Sequence, residues 1–425
     1  MPTGTPHRFI LKSAPSLALS LFLLATLPAA ELPCVPPGAA GLSAGKLQKV
    51  DRFMQGEIDR HEIAGAVVIV SHDGKVGFFH AYGWRDLAAQ KPMQPDTIVR
   101  LYSMSKAITC AAAMTLYEDG KLGLDDPVSK YIPGFAAVKV ATPQGLRGPK
   151  RAPTIRDLMR HTSGLTYGSG PEAVQEAYAK LAPWSSPNLK EFADRISRVP
   201  LAFDPGTQWT YSFSVDVLGR VIEVASGEPL NVFLQEKIFG PLGMTDTAFS
   251  VPPDKVSRFA VNYGPSGAGL KVVDDAATSG FAGKMTLFQG GAGLVGTASD
   301  YMRFLTMIES GGTFGGVRIL RPETIELMTT NQVPGEAFPL IFFDSIMHGI
   351  GYGLGFSVHM QVDPVWSSGA KVGEFGWGGL ASTHDWASPQ DHLAVVTLEQ
   401  FIPYRSGTED GIKRIIYDAI QPAGR

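Results

Sequence analysis

The apolar positions of the chain change their period twice. Leu47, Val50, Phe53, Met54 and Ile58 recur every three or four residues, the spacing of a helix that buries one face. Residues 64–71 and 75–82 are apolar, β-branched runs separated by His72-Asp73-Gly74, which predicts a hairpin. A further strand over 97–101 runs straight into Ser103-Met104-Ser105-Lys106 and a helix to about Glu118. From Asp125 to about Ala298 the pattern is one of short helices and loops, with helices over 154–160 and 215–225. Strands return after Ile319, over 354–360, 370–375, 382–387 and 393–400, and a helix over 410–420 closes the chain. Strands at both ends with helices between them predict an α/β (α+β) fold. Residues 31–115 and 300–425 would form one discontinuous domain, a sheet flanked by helices, and residues 116–299 an inserted all-helical domain.

Composition narrows this picture. The 425 residues are 44% hydrophobic and 18% charged, the balance of a compact globular chain. The 48 glycines and 31 prolines suit a loop-rich enzyme better than a helical bundle. A net charge of −3 without a long run of Lys and Arg leaves nucleic acid no electrostatic footprint. Residues 1–30 differ in kind: His7, Arg8 and Lys12 precede an apolar stretch over 17–27 that ends in Pro28-Ala29-Ala30. That is the order of a secretory signal peptide, so a periplasmic or secreted protein with no stable membrane span after cleavage is expected, with an uncleaved N-terminal anchor as the alternative. Two cysteines, Cys34 and Cys110, read as unrelated thiols rather than a disulfide framework. The nine histidines show no metal-ligand spacing, so neither metal nor cofactor is expected.

The candidate chemistry begins at Ser103 and Lys106. A serine at a helix start sits at the positive end of the dipole, with backbone N–H groups available to an oxyanion. A lysine three residues on shares its helix face and can reach the hydroxyl. Ser-x-x-Lys alone is a weak signal; its place between a strand and an apolar helix sharpens it. Tyr211, within Pro205-Gly206-Thr207-Gln208-Trp209-Thr210-Tyr211-Ser212, could share or relay the proton that the serine must lose. Trp377-Gly378-Gly379 supplies paired glycines on a late strand, where a backbone can approach a bound acyl group closely. Gly41-Leu42-Ser43-Ala44-Gly45 imitates a nucleophile elbow but follows Pro-rich coil, so Ser43 reads as a helix N-cap. His161 reads as a structural turn residue.

In this order the motifs resemble the serine β-lactamase and penicillin-binding-protein superfamily, specifically its class C-like branch. His161-Thr162-Ser163-Gly164-Leu165, Pro241-Leu242-Gly243-Met244 and Gly290-Gly291-Ala292-Gly293-Leu294-Val295 extend the resemblance over nearly all of the mature chain. It implies an antiparallel sheet with a helical domain and a site between them. It further implies that Ser103 attacks, that Lys106 and Tyr211 handle the proton, either one being the base, and that the backbone N–H groups of Ser103 and Leu380 hold the oxyanion. Phe213 stands where β-lactamases carry Asn, and Trp377 where they carry Lys. The substituted set resembles the family VIII carboxylesterases, with Trp377, Gly378, Gly379 and Phe213 on the substrate side. The implied activity is hydrolysis of small-molecule esters with short acyl chains, with weak action on β-lactams. A β-lactamase or D-amino-acid peptidase, an acyltransferase using the same acyl-enzyme, and a catalytically dead ligand-binding relative are the alternatives.

Overall fold

The computed structural model describes residues 1, 4, 31–267, 269–363 and 369–422; apart from residues 1 and 4, the expected leader lies outside them. Eight strands form one antiparallel sheet: β1 (Gly65–His72), β2 (Lys75–Asp86), β3 (Lys91–Pro92), β4 (Ile350–Tyr352), β5 (Ser357–His359), β6 (Phe375–Gly379), β7 (Thr383–Ser388) and β8 (Leu393–Glu399). Their spatial order is β4-β5-β6-β7-β8-β1-β2-β3. The C-terminal strand β8 therefore lies beside the N-terminal β1, with Ile69 opposite Val396, and the two ends of the chain close one sheet.

Strand β1 is buried along its whole length because helices cover both sheet faces. Ala66, Val68 and Val70 pack with Leu47, Val50 and Met54 of helix α1 (Ala44–Asp59) and with Ile412 and Ile416 of the C-terminal helix α5 (Gly407–Ala419). The alternate residues Val67 and Ile69 face helix α2 (Ser105–Glu118) and helix α4 (Ala298–Glu309) in the larger core. Burial of each such side chain contributes about 1.5–3 kcal/mol, so the period-2 alternation holds both layers in register. Helix α5 is also fixed by charge. Lys413 Nζ donates to Glu374 and Glu409 at 2.7 Å each, and His384 pairs with Glu409 at 3.1 Å.

Several sequence expectations shift, the strand expected over 354–360 among them, which covers only Ser357–His359. The segment over 97–101 forms only the two-residue strand Val99–Arg100, paired with Val295–Gly296 rather than with the main sheet. The late strand expected over 370–375 begins at Phe375, because Gly373 has a positive φ of 85° and interrupts the extended chain before it. The stretch 116–299 is largely helix and loop, built around helix α3 (Ser214–Ser226), yet it is not all-helical. It carries hairpins Val140–Thr142 with Gly145–Arg147, and Asn262–Ser266 with Gly269–Asp274. The β-branched Val272 and Val273 favour the extended form there. Both cysteines are free, Cys34 exposed and Cys110 buried.

Candidate active site

Ser103 lies in a single 3₁₀ turn, Tyr102–Met104, that feeds helix α2. Tyr102 holds a positive φ of 44°, a left-handed conformation that costs a non-glycine residue roughly 1–2 kcal/mol. The turn is tied down from several sides: Leu101 N–H donates to Leu294 O at 2.9 Å, and Tyr301 OH reaches Met104 O at 3.3 Å. Ser103 stays partly exposed while Lys106, one turn along α2, is fully buried.

Lys106 Nζ donates to Ser103 Oγ at 3.1 Å and to the carbonyl of Gly291 at 2.7 Å. It also sits 4.5 Å from the centre of the Tyr211 ring. The structure therefore brings Ser103, Lys106 and Tyr211 into one cluster across 108 residues of sequence separation (Ser103 to Tyr211). Tyr211 is carried by an irregular loop rather than by a helix. Thr210 N–H donates to His161 O at 3.0 Å. Next to it the hydroxyls of Ser163, Ser212 and Ser214 form a buried chain at 2.8 Å spacings, and His161 Nδ1 meets Ser212 Oγ at 3.2 Å. His161 itself has a φ of 60° and packs its ring, tilted by 48°, 4.8 Å from the Tyr211 ring. Burial, and then the Lys106 charge, hold its imidazole well below the usual histidine range. A neutral, turn-forming prop is the part this arrangement supports.

Strand β6 completes the site from the sheet side. Trp377 Nε1 donates to Tyr211 Oη at 2.9 Å, with the ring centres 5.3 Å apart. Trp377 thus offers the phenol oxygen an uncharged hydrogen-bond donor, a point that residue class alone did not reveal. Gly379 must be glycine here: a Cβ would stand 2.3 Å from Leu101 O and 2.3 Å from Thr383 Oγ1. A Cβ on Gly378 would meet the Tyr404 ring at 2.9 Å. This close approach sets the end of β6, and with it Leu380, beside the Ser103 turn. Phe213 lies elsewhere than expected. Its ring is buried among Tyr167, Tyr178 and Phe192, where it supports Tyr167 instead of facing the cleft.

A cleft of about 380 Å³ opens beside Tyr211, lined by Tyr167, Trp209 and Tyr211 on one side and by Phe338, Ile341 and Phe343 on the other. Phe342 closes the inner wall, 5.3 Å from Tyr211 and 5.5 Å from Trp377. Sequence reasoning missed this wall, which has no motif of its own. Ser43 sits at the N-cap of α1 without a side-chain capping bond, on the opposite face of the sheet from Lys106. Among the described residues, no group of His, Cys, Asp or Glu is arranged to hold a metal ion.

An antiparallel sheet built from both termini, with Ser-x-x-Lys at the head of a buried helix and a tyrosine against the lysine, defines the serine β-lactamase and penicillin-binding-protein-like class. The chain belongs to the beta-lactamase family, whose model, described as Beta-lactamase, matches residues 50–410. Protein Rv1367c of Mycobacterium tuberculosis (strain ATCC 25618 / H37Rv) is 35% identical over 355 residues, covering 80% of this chain and 86% of that protein. Esterase EstB of Burkholderia gladioli is 31% identical over 375 residues, covering 82% and 89%. A solved structure described as EstCE1, a hydrolase with promiscuous acyltransferase activity, matches with a TM-score of 0.74 at 30% identity, covering 89% of this chain and 98% of that one.

Proposed function

We propose that this protein is a serine carboxylesterase of the family VIII type, with Ser103 as nucleophile and Lys106 and Tyr211 as the proton-handling pair. The observation that carries the reading is the contact of Lys106 Nζ with Ser103 Oγ at 3.1 Å, on a phenol held by Trp377 where β-lactamases present a cation. Ser103 Oγ attacks the ester carbonyl and its proton passes to the Lys106–Tyr211 pair. The oxyanion is held by the N–H groups of Ser103 and Leu380. The proton returns to the departing alkoxide, and water then resolves the acyl-enzyme in the same way. Trp377 supplies an apolar wall and no charge for a β-lactam carboxylate, which favours neutral esters with short acyl chains and leaves weak β-lactam hydrolysis. The aromatic cleft beside Tyr211 suits an apolar alcohol moiety, since the proton is delivered on that side.

Acyl transfer to a second alcohol is the alternative outcome of the same acyl-enzyme, favoured by the description of EstCE1. Residues 1–30 suit export to the periplasm or medium; among the described residues no helix is long and apolar enough to cross a membrane. The test compares p-nitrophenyl butyrate, a chromogenic cephalosporin and a D-Ala-D-Ala peptide side by side. The reading expects the highest kcat/KM on the butyrate ester. A higher value on the cephalosporin would replace it with a β-lactamase.

A further inference from the structure

Asp216 is a fully buried carboxylic acid in the first turn of α3, five residues past Tyr211, and no step of the proposed reaction uses it. Its Oδ1 accepts the backbone N–H of Gly291 at 3.0 Å. The carbonyl of that same glycine accepts from Lys106 Nζ at 2.7 Å. One residue therefore links the carboxylate to the amine. The neighbouring Gly290 carbonyl is held by Thr109 Oγ1 of α2 at 2.7 Å, and Leu294 N–H by Ser105 Oγ at 3.1 Å. The Gly290–Leu294 loop is thus clamped between α2 and α3.

The glycines follow from this clamp. A Cβ at position 291 would stand 2.5 Å from Asp216 Oδ2, and one at 290 would stand 2.8 Å from Val215 O. Gly291 lets the carboxylate reach the backbone that holds Lys106, and Gly290 lets the same loop pass Val215 O and the Thr109 side chain. A buried acid of this kind is costly unless it is paired. The charged group that acts on it is Lys106. Of the other titratable groups facing the pair, the Tyr167 and Tyr178 phenols, raised chiefly by burial, and His161, lowered by it, are neutral, while Tyr211, its ring 4.5 Å from Lys106, is the partner in the proton transfer. Cys110, the next residue of α2 on Lys106's face, is a thiol that burial pushes up.

We propose that Asp216 is a positioning residue, which through Gly291 fixes the Lys106 amine against Ser103 and supplies the counter-charge for its ammonium form. The charge is needed by either proton route. If Lys106 takes the Ser103 proton it becomes an ammonium as the serine C–O bond forms; if the Tyr211 phenolate takes it, Lys106 is an ammonium throughout. In both cases the proton later leaves with the alkoxide, and the buried cation is present in the transition state. Burial raises the Asp216 carboxyl to about 6, against the pull of Lys106 and the Gly291 N–H. Its counter-charge is therefore lost as pH falls through that value.

The inference rests on the proposed hydrolysis only for its substrate. Two readouts separate them: kcat and KM for p-nitrophenyl butyrate across pH 6, and the rate at which a fluorophosphonate labels Ser103, which needs no turnover. Asp216→Asn keeps the size and one acceptor but removes the charge. It should lower kcat and the labelling rate about 10- to 100-fold, leave KM within about twofold of wild type, and erase the inflection near pH 6. The smaller Asp216→Ser, taken through the same assays, keeps the test decisive if the Asn variant does not fold. Wild-type kcat, labelling rate and pH inflection in a folded variant would overturn the proposal. A wild-type protein that is labelled at Ser103 but cleaves no ester would defeat the esterase reading alone, and the labelling rates would still decide the role of Asp216.

Discussion

At the scale of single residues, the site depends on which atoms survive substitution. Spacing puts Ser103 and Lys106 on one helix face, and the motif order led the sequence reading to set Tyr211 beside them, a juxtaposition the fold contains. What they would bond to was not legible. The Gly291 carbonyl and the Asp216 carboxylate come from segments 185 and 110 residues from Lys106, and only folding brings them together. One signal did exist for Asp216: an acid amid Ser214-Val215-Asp216-Val217-Leu218, in the largely apolar first turns of a helix. Trp377 shows the opposite limit, since its class suggested a wall, whereas its indole N–H also holds the Tyr211 oxygen. Removing that donor leaves the phenol oxygen short of a partner in a half-buried site, at a cost of about 1–3 kcal/mol. Trp377→Phe should therefore lower kcat on p-nitrophenyl butyrate about tenfold with little change in KM. An unchanged kcat would show that the hydrogen bond has no part in the reaction.

At the scale of elements, the strands and helices with strong periodicity fell where the pattern put them: α1, β1, β2, α2, α3, β8 and α5. The short ones did not, because two- and three-residue strands such as Val99–Arg100 are chosen by their partners and not by their own residues. Phe213 was misplaced for a related reason. A helix N-cap points its side chain according to how α3 docks, and here that is into the aromatic cluster under Tyr167. Strand β6 is the element on which the site depends most, since its end must come within van der Waals contact of the Ser103 turn. Gly379→Ala tests this directly. Its Cβ would collide with Leu101 O, and the strand would have to retreat by about an ångström from a site that tolerates little displacement. The expected result is a loss of kcat of about 100-fold with the circular dichroism spectrum retained. Full activity in this variant would remove Leu380 from the oxyanion site.

At the scale of the whole molecule, the fold class was legible because strands cluster at both ends of the sequence, and β8 pairing with β1 is the physical form of that pattern. The consequence is that the Ser103 turn is set between two bodies of core. The sheet supplies β6, the helical stretch supplies Tyr211 and Asp216, and α2 belongs to both through its buried face. The central claim is that Ser103 is the residue that becomes acylated. The measurement that bears on it most directly is intact-protein mass spectrometry after reaction with a p-nitrophenyl phosphonate, followed by peptide mapping of the adduct. The account predicts one adduct per chain, on Ser103, with Ser103→Ala neither labelled nor active and Ser43→Ala indistinguishable from wild type. An adduct mapped to Ser43 or to any other residue, or ester hydrolysis retained by a folded Ser103→Ala protein, would contradict it.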